Sequence, residues 1–235
     1  MKKFFAVIFF ISACFFSSLA FAADVDVWRD PSLRISDLKK IFVMPANLRL
    51  NAGRHLVPPK QLSSNAFSWT VDGINAAAKK GRRPLVKNLD NVLTDMRFIY
   101  GENISVGDKL FFDRAAEMGY AAYLTMTVNQ QFETEHVPEQ VRTYTVYHDI
   151  EKRDHKGRLI ETIRIPEEKT EVIPAHDVTY LYTTCEPRLY LTQSMGDDYS
   201  GAASCQIYRE YQGGPVIKVV ENIIKASVRE LMKGN

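Results

Sequence analysis

The sequence predicts an α+β fold: a mostly antiparallel β-meander, covered on one face by amphipathic helices, with a helix at its C-terminus. Two observations predict it. Apolar residues recur at helical spacing from Phe67 to Met118, and the period switches to two from Tyr123 onward. A last stripe of Val216, Val220, Ile223, Ile224, Val228 and Leu231 then returns to the helical period, with Lys218, Glu221, Lys225 and Arg229 facing water. Strands that alternate on one side need a cover over their apolar face, and the amphipathic helices are the only candidates.

The elements follow in order. Asp24 to Ser36 is polar and extended, and Trp28 stands among charges as a tether for this arm. Ile41-Phe42-Val43-Met44, ended by Pro45, reads as a strand buried on both faces. Asn47 to Gln61 carries Gly53, Pro58 and Pro59 and reads as a loop. A helix capped at Ser63, Ser64 or Asn65 runs along Phe67, Val71, Ile74 and Ala78 and stops at Gly81. After Pro84, Leu85, Leu89, Val92, Leu93 and Met96 give a second helix. A third spans Val106 to Met118, with Leu110, Phe111 and Met118 inward and Gly119 as its C′ residue.

Leu124, Met126 and Val128 then share one strand face, and Tyr144, Val146, His148 and Ile150 another. Asp154-His155-Lys156-Gly157 is a hairpin turn, from which Leu159 to Ile165 returns. Val178–Tyr182, Arg188–Thr192 and Ala203–Tyr211 complete the β pattern. Gly213-Gly214-Pro215 breaks it and opens the last helix.

The N-terminus has the three parts of an export signal. Lys2 and Lys3 precede an apolar run from Phe4 to Phe16, and Ala20-Phe21-Ala22 is a small-x-small cleavage site. Residues 1–22 are therefore expected to be a signal peptide cut between Ala22 and Ala23, leaving residues 23–235 as a single exported α+β domain, periplasmic or at the cell surface. The run is too short for a permanent span, and no later segment reaches spanning length. The alternative is an outer-membrane lipoprotein, because Ile11-Ser12-Ala13-Cys14 resembles a lipobox that would lipidate Cys14.

The chain holds 30 Lys and Arg against 28 Asp and Glu, and the signal takes Lys2 and Lys3 with it, so the exported chain is balanced. This charge gives no footprint for nucleic acid. Lys79-Lys80-Gly81-Arg82-Arg83 is a local exception, read as a solvated loop; the polyanions open to it in an envelope are lipid or glycolipid headgroups.

Cys14 leaves with the signal, and the remaining pair, Cys185 and Cys205, is a disulfide candidate in an oxidising compartment. A hairpin centred on Met195 sets 185 opposite 205, and closing a loop of about 20 residues stabilises by roughly 3 kcal/mol on the chain-entropy view. Two thiols are the alternative in a weakly oxidising envelope.

No nucleophile elbow, P-loop or His-Glu-x-x-His is present. The histidines His55, His136, His148, His155 and His176 are scattered, and the His148-Asp149 and His176-Asp177 neighbours point to opposite strand faces. Glu167, Glu168 and Glu171 read as a solvated run, and Asp197-Asp198 as turn chemistry. No catalytic set, cofactor site or metal site is expected. Tyr180, Tyr182, Tyr190 and Tyr208 are the candidate binding face, because aromatic strands make platforms for sugars or partner proteins.

The element order, with Lys40-Ile41-Phe42-Val43-Met44-Pro45, then Met118-Gly119-Tyr120-Ala121-Ala122-Tyr123-Leu124, then Val216 to Leu231, resembles the N-terminal domain of the translocation protein TolB and small periplasmic lipoproteins of that shape. The resemblance implies protein–protein work in the cell envelope. The expected function is thus a non-enzymatic envelope protein that binds another envelope protein, in assembly or maintenance. The alternative is a glycan- or surface-binding module that uses the tyrosine-rich strands.

Overall fold

A computed structural model describes residues 24–50, 59–78, 83–101, 104–194, 198–213 and 216–233. The signal segment with Cys14, Ala22 and Ala23, the Lys79–Arg82 cluster, the Met195-centred turn and Gly214-Pro215 lie outside the described residues. The elements are β1 (Asp24–Arg29), β2 (Lys40–Val43), β3 (Asn47–Leu50), α1 (Pro59–Ala77), β4 (Leu85–Asn88), α2 (Leu89–Tyr100), α3 (Lys109–Glu117), β5 (Ala122–Val137), β6 (Gln140–Arg153), β7 (Leu159–Ile173), β8 (His176–Leu191), β9 (Gly201–Glu210) and α4 (Val216–Met232).

The expected antiparallel meander is corrected. Among the described residues, the main sheet has seven strands in the order β1-β9-β8-β5-β2-β4, with β3 also on β5, and it is mixed. β1 and β9 are antiparallel, whereas β2 runs parallel to both β4 and β5, and β3 parallel to β5. The cause is β4. Leu85 and Val86 continue the spacing of the following helix, but they pair with Lys40 and Ile41 instead, and helix begins only at Leu89. Asn88 caps it by accepting a hydrogen bond from Asn91 N at 2.9 Å. The run β2–α1–β4–α2 is thus a pair of β–α units, and a parallel pair needs such a crossover.

The cover is on both faces, not one. Ile41, Phe42 and Val43 are consecutive and all buried, so both sides of β2 are packed. Phe42 lies with Val92 and Met96 of α2, Phe111 and Phe112 of α3, and Tyr123 of β5. On the Cys185 side of β8 lies α4, whose Ser227 hydroxyl is 3.2 Å from both Cys185 Sγ and Ile224 O and can donate to either. Most of the expected α4 stripe is buried: Val220, Ile223, Ile224, Val228 and Leu231 are sealed, while Val216 at its start is half-buried. Helix α1 approaches it closely, since a Cβ at Gly73 would fall 3.0 Å from Val228 Cβ. Arg29 leaves β1 and donates from Nε to Leu231 O at 3.0 Å and from Nη2 to Glu230 O at 2.5 Å, satisfying carbonyls at the α4 C-terminus.

The chain clusters into two compact units. The first holds the helices and most of the sheet. The second, Phe132–Tyr182 with Tyr208–Gly214, contains β6 and β7 as a separate two-stranded antiparallel ribbon. Its turn is the one the sequence indicates: Asp154 Oδ1 accepts from the backbone N–H of Lys156 and of Arg158, each at 2.8 Å, and Gly157 takes φ 74°. No helix among the described residues is long and apolar enough to cross a membrane.

Candidate binding surface

On β8 the odd residues Leu181, Thr183, Cys185 and Leu189 are fully buried, which sends Tyr180, Tyr182 and Tyr190 to the other face. Three of the four candidate tyrosines come together there, in the second unit. The Tyr180 and Tyr208 rings stack at 5.0 Å and 10°, and Tyr182 meets Tyr208 edge-on at 6.3 Å. Tyr208 is 55% exposed. Desolvation raises its phenol above the ordinary value, and Glu133, Tyr180 and Glu135 push the same way, so it stays a neutral hydrogen-bond donor.

The fourth, Tyr190, does not join them. It stacks on Tyr123 at 5.0 Å and 7° in the first unit, and packs against the aromatic core of α2 and α3. Its other edge touches Tyr199 at 6.3 Å, which opens a second aromatic surface.

That second surface is a cleft of about 320 Å³ in the first unit. Edge strand β1 supplies Asp26 and Trp28, β8 supplies Glu186 and Arg188, and β9 gives a floor of Ala202, Ala203 and Ser204. Trp28 is 52% exposed and meets Tyr199 edge-on at 5.4 Å and 84°. The Arg188 guanidinium stands 5.4 Å from the Tyr199 centroid and 3.5 Å from Glu186. Open aromatic edges, a small-residue floor and a fixed cation beside two carboxylates suit a ligand with apolar surface and polar groups. The sequence marked Trp28 as a docking tether. The spacing held one further signal: Glu186, Arg188 and Tyr190 alternate on the face opposite Leu189.

Cys185 and Cys205 sit on adjacent strands, both buried, as thiols. Burial pushes the Cys185 thiol up to about 12; the Ser227 hydrogen bond opposes this, and Cys205 and Glu186 add to it. Neither is placed as a nucleophile, which needs access. His148 lies between Val146 and Ile150 on the apolar side of β6, as its alternation requires, but in the open, with Nε2 2.5 Å from Glu167 Oε2. His136 Nδ1 pairs with Asp177 at 2.8 Å. Among the described residues no group of three or more His, Cys, Asp or Glu is arranged to hold a metal.

No family model matches the chain, and no curated protein matches it. Among solved structures it is similar to the PelC dodecamer from Paraburkholderia phytofirmans, at 9% identity and TM-score 0.39 over 90% of this chain and 96% of that one. A methionine point variant of the same dodecamer gives 10% identity and TM-score 0.41 over 89% and 98%.

Proposed function

We propose that this chain is a non-enzymatic protein of the bacterial cell envelope, exported by its N-terminal signal, that works by binding another envelope protein. The observation that carries the reading is the cleft of Trp28, Tyr199 and Arg188. These are the three residue types that dominate binding energy at protein interfaces, and here they are half-open, mutually packed and flanked by small residues. The resemblance to the TolB N-terminal module points the same way. A photo-crosslinking residue in place of Ser204, on the cleft floor, tests it in the intact envelope. The expected result is one discrete protein adduct that Arg188→Ala abolishes; no adduct, or one insensitive to Arg188, overturns the reading.

The glycan reading is favoured by a different observation, the stacked Tyr180–Tyr208 pair with its open face. Envelope glycan fragments that bind the chain and lose affinity on Tyr208→Ala, with Trp28→Ala unaffected, would establish that reading in place of the first.

A further inference from the structure

An apolar strand face is stabilised by a cover, and the β6–β7 ribbon has a face whose apolar residues are exposed. The β6–β7 register places Arg142 opposite Glu171, Tyr144 opposite Lys169, Val146 opposite Glu167, His148 opposite Ile165, Ile150 opposite Ile163 and Lys152 opposite Glu161, all on one side. The middle of this side is apolar and open: Tyr144, Ile150, Ile163 and Ile165 are all 42–52% exposed. The opposite side carries Thr143, Thr145, Thr162, Thr170 and the Asp149–Arg164 pair, whose Nε–Oδ1 distance is 2.9 Å, with Tyr147 and Pro166 between them and Val141 and Val172 at one end. A two-stranded ribbon is marginal alone in water and needs its apolar face packed to be stable.

The charges on the apolar side are sorted by strand. Those of β6 are Arg142, Lys152 and the titratable His148, while those of β7 are Glu161, Glu167 and Glu171, with Lys169 the exception. We infer that the occupant of this face is the same face of a second copy of the chain, related by a two-fold axis parallel to the ribbon. That axis lays β6 of one copy over β7 of the other at the same level, so each residue covers the counterpart of its own cross-strand neighbour. Arg142 then meets Glu171 and Lys152 meets Glu161 at the two ends. Ile150 packs on Ile163 in the middle, and Lys169 lies over a Tyr144 ring. The other axis that stacks the two faces crosses the strands and sets Arg142 over Lys152 and Glu161 over Glu171, all like charges. Sheet-on-sheet stacking at about 10 Å is the ordinary way to bury such a face, and a two-fold contact of one patch with itself closes at the dimer.

Sedimentation velocity of the purified chain over a range of concentrations tests this. Wild type should sediment as a dimer. Ile163→Lys should weaken dimerisation on the order of 100-fold, because it buries a charge without a partner. Thr145→Lys, on the opposite side, should leave it unchanged, and circular dichroism should show both variants folded. The axis is tested by charge reversal. Arg142→Glu alone and Glu171→Arg alone should each be monomeric, and their mixture should form a heterodimer. A monomeric wild type, or a dimer indifferent to Ile163→Lys, overturns the inference. A dimer strengthened by Arg142→Glu overturns the proposed axis, since that reversal favours contact with Lys152.

Discussion

Truncating one side chain of α4 measures how far the core depends on that helix. Ile224 has no exposed surface. Ile224→Ala removes three carbons from a fully buried site and leaves a cavity, for a cost of about 2–5 kcal/mol. In a chain of this size each kcal/mol lowers the melting temperature by about 2–4 °C, so about 3 kcal/mol should lower it by roughly 6–12 °C. Ile224→Asp should prevent folding of the first unit, since the carboxylate would be buried unpaired. The assay is thermal and urea unfolding by circular dichroism at 222 nm, where α1 and α4 dominate the signal. The chain clusters into two compact units, so the shift is read on the helical transition. A change under about 1 kcal/mol for Ile224→Ala would refute the placement of α4 as core, because no buried isoleucine costs so little to truncate.

Other outcomes follow from particular contacts. Gly73→Ala should destabilise, because its Cβ would sit 3.0 Å from Val228 Cβ and 3.1 Å from the Lys225 carbonyl; overpacking of about 1–3 kcal/mol outweighs the gain of about 1 kcal/mol in helix propensity, as a melt will show. Lys225, 2.9 Å from both Asp72 and Glu221, should lose under about 1 kcal/mol on truncation to Ala, and less in high salt, because the three-charge cluster is partly exposed. In reduced protein the native Cys185 thiol should resist alkylation at pH 8 and react once unfolded. Its raised folded pKa also means that the native state holds a proton the unfolded chain gives up, so stability falls as pH rises from about 9 to about 12, measurable by urea titration. Protein taken from the envelope should instead carry the proposed Cys185–Cys205 bond, and a non-reducing peptide map with both residues alkylated would reject it.

Much of the fold was legible where one residue pattern had one physical solution. Ile41-Phe42-Val43 could only be a strand packed on both faces, and Gly119 at φ 84° ends α3 as the sequence indicated. The mixed topology was hidden by four residues. Leu85 and Val86 fit the helical spacing of Leu89, Val92 and Met96, and periodicity cannot separate a short apolar strand from the helix that follows it. The missed signal was Asn88, a capping residue three positions before the backbone N–H it serves. Restoring β4 turns one long helix into a β–α unit, and the parallel pairing follows. β3 was missed for a related reason: Leu48 and Leu50 are its only inward pair, between Pro45 and a Gly- and Pro-rich stretch. Leu110 was expected inward and is exposed, while Phe112 takes its place beside Phe111. The period of two told correctly that Tyr144, Val146, His148 and Ile150 of β6 share a face. It could not tell that this face is exposed, because alternation records polarity and not what lies above it. The cleft was half legible for the same reason: Trp28 was conspicuous, but its meeting with Tyr199 depends on β1 pairing with β9, a contact between the two ends of the chain.

The most direct test of the central claim is the size of the complex that holds this chain in gently solubilised envelope. Binding to another protein through the Trp28–Tyr199–Arg188 cleft predicts that wild type migrates well above the mass of its own dimer. A folded Trp28→Ala/Arg188→Ala variant should then fall to the mass of the chain alone or of its dimer. Wild type already at that mass, or a variant that keeps the larger size, would contradict the account.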